Sequence, residues 1–236
     1  MSYCNINNLE EIINKKVLFY DLETTGIIKT PRGVKPEEEY PNYEELDKYD
    51  AARIVSIGWI YNEKFNYNYE IEIKDINEKI IKPNGFLIPD ESVKIHGITN
   101  DKANNKGKDI LKILKKIGKI IKECEYIIGY NIYYDVNVLL SELYRNGRNK
   151  TIKKILNLKE EKKIICIGQL SSNFAKPDGF TKYSTYAIPK QIDVYKKCFG
   201  KELVNAHNAK FDVLAMIKIM FCIFNNNFNS TIKNTE

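Results

Sequence analysis

The segment VLFYDLETTGI, residues 17–27, constrains the fold more than any other stretch of the chain. Its nearly continuous apolar run is typical of a central strand that is buried on both faces. The run ends in Asp21 and Glu23, and alternate residues of a strand point to the same face, so both acids project together. Neighbouring buried acids repel each other unless a cation lies between them or one is protonated. The segment therefore predicts a strand end that binds a divalent cation, with two solvated acids as the alternative.

The predicted secondary-structure elements indicate an α/β fold with a mixed five-stranded sheet flanked by helices. The second and third strands are separated by only a short turn, which favours an antiparallel meander at the start of the domain. Strands and helices then alternate, which is typical of a layered α/β fold. We predict strands at 17–23, 53–61, 66–73, 125–131 and 163–170, a loop at 83–99, and helices at 109–124, 134–147, 192–200 and 207–224.

The length and composition fit one globular domain. A chain of 236 residues with 43% hydrophobic residues is long enough to bury a core. Residues 1–16 are predicted to be a polar lead-in, 17–224 the domain, and 225–236 a polar tail. Within the domain, the stretch 28–52 is rich in Pro, Gly and acids. It predicts a surface insertion, with substrate gating or partner docking as a further possible role.

The net charge concerns a possible nucleic-acid partner of the protein, and the cysteines concern the cellular compartment in which it acts. The net charge of +6 rests almost entirely on lysine, whose codons are rich in A and T, so it permits a nucleic-acid partner without indicating one. Lysines on one side of the predicted helix 109–124 favour a solvated helix face. The five cysteines contain no C-x-x-C pair, which favours a reducing intracellular compartment, the cytoplasm or the nucleus. Neither a signal peptide nor a membrane span is predicted.

Two further acids begin predicted helices later in the chain. Asp135 follows a predicted strand and lies close to Asn131 and Tyr134, where it either caps the helix or faces a ligand. Asp212 begins an otherwise apolar helix face, where a buried carboxylate without a partner would be costly. His207 lies five residues before Asp212. A lone histidine is more often structural, but an imidazole beside a metal-binding carboxylate is a candidate general base.

Three short motifs follow one another along the chain: DLETTG at 21–26, NIYYDVNVLL at 131–140 and HNAKFD at 207–212. Together they resemble the ordered motifs of the DEDD superfamily of 3′-to-5′ exonucleases, the DnaQ-like family. The H-x-A-x-x-D spacing of the third motif resembles its DEDDh branch. The connecting segments 52–61 and 88–99 are also similar to this family. The resemblance implies a ribonuclease H-like fold and an exonuclease domain at 17–224.

The same resemblance implies a two-metal phosphodiesterase. Four motif acids would bind two Mg²⁺ or Mn²⁺ ions: Asp21, Glu23, Asp135 and Asp212. His207 would deprotonate the attacking water. Two cations in such a site stabilise both the attacking and the leaving oxygens of an in-line displacement.

The resemblance also implies contacts with the 3′ end of a single-stranded nucleic acid. In proofreading members the segment that resembles IHGIT lies near the terminal nucleotide, so His96 or Ile98 would touch the last base. A plain loop role is the alternative for His96. The candidate substrate contacts are Thr24, Thr25, Gly26, His96, Ile98, Asn131 and Tyr134. The loop 171–186 mixes lysines with aromatic residues, a mixture that can stack unpaired bases.

These observations predict a metal-dependent 3′-to-5′ exonuclease that releases nucleoside 5′-monophosphates from single-stranded or frayed ends. The HGIT segment favours DNA over RNA as the substrate. A DEDDh exoribonuclease that trims RNA is the first alternative, and a catalytically silent nucleic-acid-binding module is the second. The silent module is disfavoured because all four acids and the histidine are present. A polymerase or replication partner would have to bind in trans, and no membrane partner is predicted.

Overall fold

Five strands form one mixed sheet in the computed structural model, which describes residues 9–30, 40–66, 71–172, 174 and 188–233. The strands are β1 (Val17–Thr24), β2 (Ile54–Asn62), β3 (Asn77–Ile80), β4 (Tyr126–Gly129) and β5 (Ile164–Cys166). Their spatial order is β3-β2-β1-β4-β5, so β1 lies in the middle. The first three strands pair antiparallel, and β4 pairs parallel with both β1 and β5. The predicted mixed five-stranded sheet is confirmed.

Helices cover both faces of the sheet. Within the described residues they are α1 (Leu46–Tyr49), α2 (Asp90–His96), α3 (Asn100–Lys106), α4 (Ile110–Glu123), α5 (Ile132–Arg145), α6 (Asn149–Glu160), α7 (Ile167–Leu170), α8 (Gln191–Phe199) and α9 (Ala209–Lys233). Leu18, Tyr20 and Leu22 of β1 pack on the side of α4, α5 and α6. Val17 and Phe19 point to the opposite face, toward α8 and α9. β1 is therefore buried on both faces, as its apolar run predicted.

Several predicted elements differ from the structure. The predicted last strand 163–170 is a strand only at Ile164–Cys166, and its second half forms the helix α7. The third strand is not at 66–73 but at Asn77–Ile80, while Ile73–Asp75 forms a 3-10 turn and residues 67–70 lie outside the described residues. The predicted loop 83–99 contains α2, and the segment after α5 forms α6, for which no helix was predicted. β3 is an edge strand, so its residues are mostly polar and half-exposed and lack the apolar signal of a buried strand.

The final helix is longer than predicted. α9 has 25 residues and ends at Lys233, so the backbone of the predicted tail is helical through most of its length. The apolar side of its first half packs against β1 and β2. No helix in the part of the chain that the structure describes is long and apolar enough to cross a membrane.

The predicted surface insertion packs partly into the core. Residues 31–39 lie outside the described residues, but the end of the insertion contains α1, whose Tyr49 is fully buried. The ring of Tyr40 lies 6.4 Å from that of Tyr134 at the start of α5, in an edge-to-face arrangement. Arg145 at the end of α5 forms an ion pair with Asp50. The described part of the insertion is thus anchored along α5.

Candidate active site

The carboxyl end of β1 carries acids on the face that α9 covers. Asp21 and Glu23 continue the row of alternate β1 residues that packs toward α9. Across the sheet, Asp21 pairs with Gly58 of β2, and Gly58 pairs with Glu78 of β3. Because directly paired residues point to the same face, Glu78 is a further acid beside this row. Three acids therefore lie beneath the first turn of α9.

Gly58 lets α9 approach the sheet closely enough to bring Asp212 to this row. A Cβ atom built on Gly58 would lie 2.4 Å from the carbonyl oxygen of Ala209, at the start of α9. No real side chain fits this space, so the backbones of β2 and α9 meet because the residue between them is glycine. The sequence analysis did not single out Gly58, although a glycine inside a strand signals a close backbone approach.

Asn208 fixes the start of α9 against β3. Its Oδ1 accepts hydrogen bonds from the backbone N–H groups of Lys210 and Phe211, at 3.2 and 3.3 Å, and thereby caps the helix. Its Nδ2 donates a hydrogen bond of 3.1 Å to Oε1 of Glu78. The cap and the edge strand therefore hold the helix that carries Asp212. Asn208 and Glu78 were both missed by the sequence analysis, because their role depends on a contact between distant segments.

Asp21, Glu23 and Asp212 form a compact group, called the carboxylate cluster below. One carboxylate oxygen of each lies within 4.8 Å of those of the other two. Glu23 and Asp212 are each only 8% exposed, and Asp21 is half-buried. No other group of three His, Cys, Asp or Glu side chains with this spacing occurs among the described residues. Oxygen ligands so close together fit a hard divalent cation such as Mg²⁺ or Mn²⁺.

Asp135 approaches the carboxylate cluster from the opposite side of β1. It lies in the first turn of α5 and is buried. The backbone N–H of Leu22 faces its carboxylate, which places its charge beside the middle strand. Asp135 is not one of the three acids within 4.8 Å of one another, but after burial it is the largest cause of the raised pKa of Asp21. The structure thus brings all four motif acids into one electrostatic environment.

The four acids bind protons more tightly than isolated carboxylates do. Burial, followed by the charges of Asp212 and Glu78, raises the pKa of Glu23 to about 8. Burial raises the pKa of Asp212 to about 7, although backbone N–H groups at the start of α9 lower it. Burial, reinforced by neighbouring acids, raises the pKa values of Asp21 and Asp135 well above their usual range. Burial is the first cause for all four acids, and neighbouring acids add to it for Asp21, Glu23 and Asp135. A bound cation would favour the ionised forms.

A cleft of about 510 Å³ opens over the carboxylate cluster. His207 lines this cleft together with Asn131, and both side chains are exposed. Their backbones adopt left-handed conformations, with φ of 63° for His207 and 52° for Asn131. This region is sparsely populated by residues other than glycine, and such residues are found disproportionately at functional sites. The predicted proton acceptor therefore shares one cleft with the carboxylate cluster.

The second wall of the cleft comes from the segment before α8. Lys190 and Gln191 line it, so the cleft that contains the acids also contains a cationic side chain. The Tyr130 hydroxyl donates a hydrogen bond of 2.7 Å to the carbonyl of Pro189, and Gln191 Nε2 donates one of 2.8 Å to the carbonyl of Asp212. These contacts tie the wall to β4 and α9. The sequence analysis assigned no role to this wall. The predicted base-stacking loop beside it lies almost wholly outside the described residues.

The hydroxyl groups of the Thr-Thr-Gly turn are engaged inside the protein. The Thr24 hydroxyl donates to the Gly26 carbonyl at 2.8 Å and lies 2.7 Å from the Tyr134 hydroxyl, which also bonds to Gly26. The Thr25 hydroxyl donates to one backbone carbonyl and accepts from one backbone N–H in the segment before β2, both at 2.9 Å. None of these four residues lines the cleft. They hold the turn to α5 and to the predicted insertion.

His96 and Ile98 are less accessible than the resemblance implied. Ile98 is 3% exposed and packs with Val55, Ile88 and Ala103. His96 is 8% exposed; its Nδ1 accepts a hydrogen bond from the backbone N–H of Ile98, and its Nε2 has no hydrogen-bond partner among the described residues. Burial lowers its pKa, and so do nearby cationic side chains. Neither residue lines the cleft, so of the seven candidate substrate contacts only Asn131 does.

Comparison with known families agrees with this geometry. The family model RNase_T, described as an exonuclease, matches residues 18–220, which include all four acids and the histidine. The chain belongs to this exonuclease family. Both the suspected relationship and the α/β fold are thus confirmed. The family assignment also covers every element that contributes to the cleft.

Individual relatives of this exonuclease-family chain act on different nucleic acids according to their names. RNA exonuclease 4 of Dictyostelium discoideum is 27% identical over 116 residues, which is 49% of this chain and 33% of that protein. E. coli exonuclease I in complex with a dT13 oligonucleotide has a TM-score of 0.62 and 22% identity, over 89% of this chain and 41% of that one. The complex of the same enzyme with a dA16 oligonucleotide has a TM-score of 0.61 and 21% identity, over 91% of this chain and 43% of that one. The chain therefore spans less than half the length of these relatives, and the structural likeness concerns the fold.

Proposed function

We propose that the protein is a metal-dependent 3′-to-5′ exonuclease that removes nucleoside 5′-monophosphates from single-stranded or frayed nucleic-acid ends. The observation that carries this proposal is the carboxylate cluster, whose three oxygens lie within 4.8 Å in a cleft shared with His207. Membership of the exonuclease family supports it. A buried group of like charges without a catalytic or binding role would only destabilise the fold.

The acids act in this proposal as ligands of two Mg²⁺ or Mn²⁺ ions. The carboxylate cluster would bind one ion directly, and Asp135 would complete the site for a second from the far side of β1. Bound divalent ions supply charge stabilisation for the phosphate and for the attacking and leaving oxygens. The protein contributes rigid placement: Asp21 and Glu23 sit on the central strand, and Asp212 sits on a helix that is capped and packed against the sheet.

His207 acts as the general base. Its ring is exposed in the cleft, so it is accessible to a water molecule beside the terminal phosphate. A ring nitrogen takes one proton from this water as its oxygen forms a bond to phosphorus. The bond from phosphorus to the preceding 3′ oxygen breaks, and that oxygen takes up a proton to become the new 3′-hydroxyl. Lys190 lies across the cleft and attracts the negatively charged strand.

DNA is the favoured substrate, and RNA is the second candidate. The fold likeness to exonuclease I, found in complexes with DNA oligonucleotides, extends over about nine-tenths of this chain and supports DNA. The likeness to RNA exonuclease 4 covers 49% of the chain and supports RNA. A preference for one sugar would have to arise from contacts to the terminal 2′ position.

The test uses 5′-labelled DNA and RNA oligonucleotides of the same sequence with purified protein, Mg²⁺, Mn²⁺ or EDTA. We expect stepwise shortening from the 3′ end with either metal and none in EDTA. Asp21→Asn should abolish both activity and Mg²⁺ binding measured by calorimetry. His207→Ala should keep Mg²⁺ binding and lose activity by about 10²- to 10⁴-fold. Asp193→Asn, an exposed acid of α8, is the matched control and should leave both unchanged.

Two results would overturn the proposal. Digestion that persists in Asp21→Asn would show that the activity comes from elsewhere. Intact oligonucleotides of both kinds in the presence of either metal would favour the catalytically silent binding module instead. The ratio of DNA to RNA shortening rates, measured in the same reactions, decides the substrate class.

A further inference from the structure

The positive charge of the chain is concentrated on two neighbouring helices. α4 and α6 together carry nine lysines and two glutamates, a net charge of +7. The rest of the chain carries 28 basic and 29 acidic residues, a net charge of −1. A lysine excess caused only by codon composition would be spread along the chain. This concentration on two helices therefore calls for a physical explanation.

The two helices pack against each other, and both expose lysines to solvent. α4 packs on α6 closely, because a Cβ atom on Gly118 would come within 2.9 Å of the Thr151 hydroxyl. The apolar sides of both helices face the core, which turns their charged sides to solvent. Six exposed residues define what is called the lysine surface below: Lys112, Lys115, Lys119, Lys122, Lys150 and Lys153.

The part of the chain that the structure describes contains no ion-pair partner for the lysine surface. Among the described residues, no carboxylate oxygen lies within 4 Å of any of these six ammonium groups. Along α4, Lys112, Lys115, Lys119 and Lys122 follow at spacings of three and four residues, where like charges repel each other and slightly destabilise a helix. Repulsion among these lysines therefore slightly destabilises the protein when nothing is bound, and a bound polyanion would relieve this repulsion.

We propose that the lysine surface binds the phosphate backbone of a nucleic acid whose 3′ end lies in the cleft. This inference rests on the proposed function, which supplies the polyanionic substrate. α4 and α6 lie on one side of the sheet and the carboxylate cluster on the other, so a short strand cannot touch both. A strand of about 20 nucleotides is roughly 70 Å long even at the rise of a duplex strand. That length passes around a domain with a radius of gyration of about 18 Å.

The proposal predicts that the lysine surface matters for long substrates and not for short ones. The test variant combines Lys112→Gln, Lys115→Gln, Lys119→Gln and Lys153→Gln. The control variant removes the same charge elsewhere, at four exposed lysines outside α4, α6 and the cleft: Lys64, Lys106, Lys201 and Lys218, each replaced by Gln. Fluorescence anisotropy in EDTA measures the binding of labelled dT5 and dT30, and of the matching rU strands, between 50 and 300 mM NaCl.

We expect the Kd for the 30-mer to rise at least tenfold in the lysine-surface variant and less than twofold in the control. The slope of log K against log salt should fall by up to about 3, because each phosphate contact on a single strand contributes about 0.7. The Kd and kcat for the 5-mer should not change. If the fourfold variant does not fold, Lys115→Gln with Lys119→Gln should give half of the slope change.

The outcomes separate this inference from the proposed function. Equal weakening of the 30-mer by both variants would reduce the effect to net charge and overturn the proposal. Unchanged binding of the 30-mer in the lysine-surface variant would also overturn it and would leave the surface for a partner of another class. Wild-type protein that binds the 30-mer through the lysine surface but hydrolyses nothing would sustain this inference and refute the proposed exonuclease activity.

Discussion

The close contact between β2 and α9 predicts that Gly58→Ala separates activity from folding. The added Cβ would lie 2.4 Å from the carbonyl oxygen of Ala209, 2.5 Å from its carbonyl carbon and 2.8 Å from the N of Lys210. All three are backbone atoms, so no side-chain rotation relieves the overlap. An ordinary contact begins at 3.4 Å, so the helix and the strand must separate by about 1 Å.

This separation acts directly on the carboxylate cluster. Asp212 lies three residues after Ala209 in the same helix, so it moves with the first turn, whereas Asp21 stays on the central strand. A displacement of about 1 Å in a catalytic constellation costs about 10²-fold in rate. Overpacking costs about 1–3 kcal/mol in the free energy of unfolding, which lowers Tm by roughly 2–12 °C for a domain of this length.

The assay compares kcat/KM with Mg²⁺ and the thermal unfolding of the same preparations. Gly118→Ala is the matched control, since its Cβ would meet only the Thr151 side chain, which can rotate, on the side of the sheet away from the cluster. We expect its kcat/KM to stay within threefold of the wild type. A folded Gly58→Ala protein with kcat/KM within fivefold of the wild type would refute the idea that this contact positions Asp212.

Three further predictions concern charge, burial and hydrogen bonding. Without metal, Tm should fall as pH rises from about 4 to about 8, because Glu23 and Asp212 have raised folded-state pKa values and the folded protein holds more protons than the unfolded chain. The increase in Tm on adding Mg²⁺ should therefore be larger at pH 8 than at pH 5, and an equal increase at both would contradict this. Glu142→Ala removes the buried ion-pair partner of Arg53 and should lower the free energy of unfolding, measured in urea, by about 3–5 kcal/mol. Asp50→Ala removes an exposed partner of Arg145 and should lower it by less than about 1 kcal/mol. Tyr134→Phe should lower the free energy of unfolding by about 1 kcal/mol and change kcat/KM by only a few-fold, because the Tyr134 hydroxyl bonds the Thr-Thr-Gly turn and does not line the cleft. A 100-fold loss of activity would contradict this position.

The central part of the fold could be predicted because its signals are local. β1 carries an apolar run on both faces, and α4 has its apolar residues at helical spacing, so each element is specified by its own residues. β3 has four residues with no buried side chain, and its strand conformation comes from pairing with β2. α2 has only seven residues, too few for a clear period, and is recognised chiefly by its acidic first turn and by Gly97 at its end.

The candidate site, like the fold, has residues with local sequence signals and residues whose position depends on packing. The motif acids could be predicted because each follows or begins an element, although their convergence depends on how those elements pack. Most of the predicted substrate contacts do not line the cleft, and a sequence does not show which of their hydroxyls are already bonded inside the protein. Thr25 illustrates this: its partners are Ala51, at the end of the insertion 28–52, and Arg53 just after it, and neither carries a signal for such a contact. Lys190 lines the cleft, and its neighbour Pro189 accepts a hydrogen bond from Tyr130, a contact between distant segments that the sequence does not show.

The acids of the carboxylate cluster repel one another, so other contacts must hold them together. Repulsion among buried acids pushes Asp212 away from β1, and it is opposed by the apolar packing of α9, by the cap of Asn208 and by the hydrogen bond from Gln191. None of these contacts depends on a metal. The contacts that place these carboxylates therefore need no bound cation, which is the rigid placement that the proposed metal site would require. In the proposed exonuclease, such preorganisation would direct the energetic benefit of bound ions to the phosphate rather than to folding of the site.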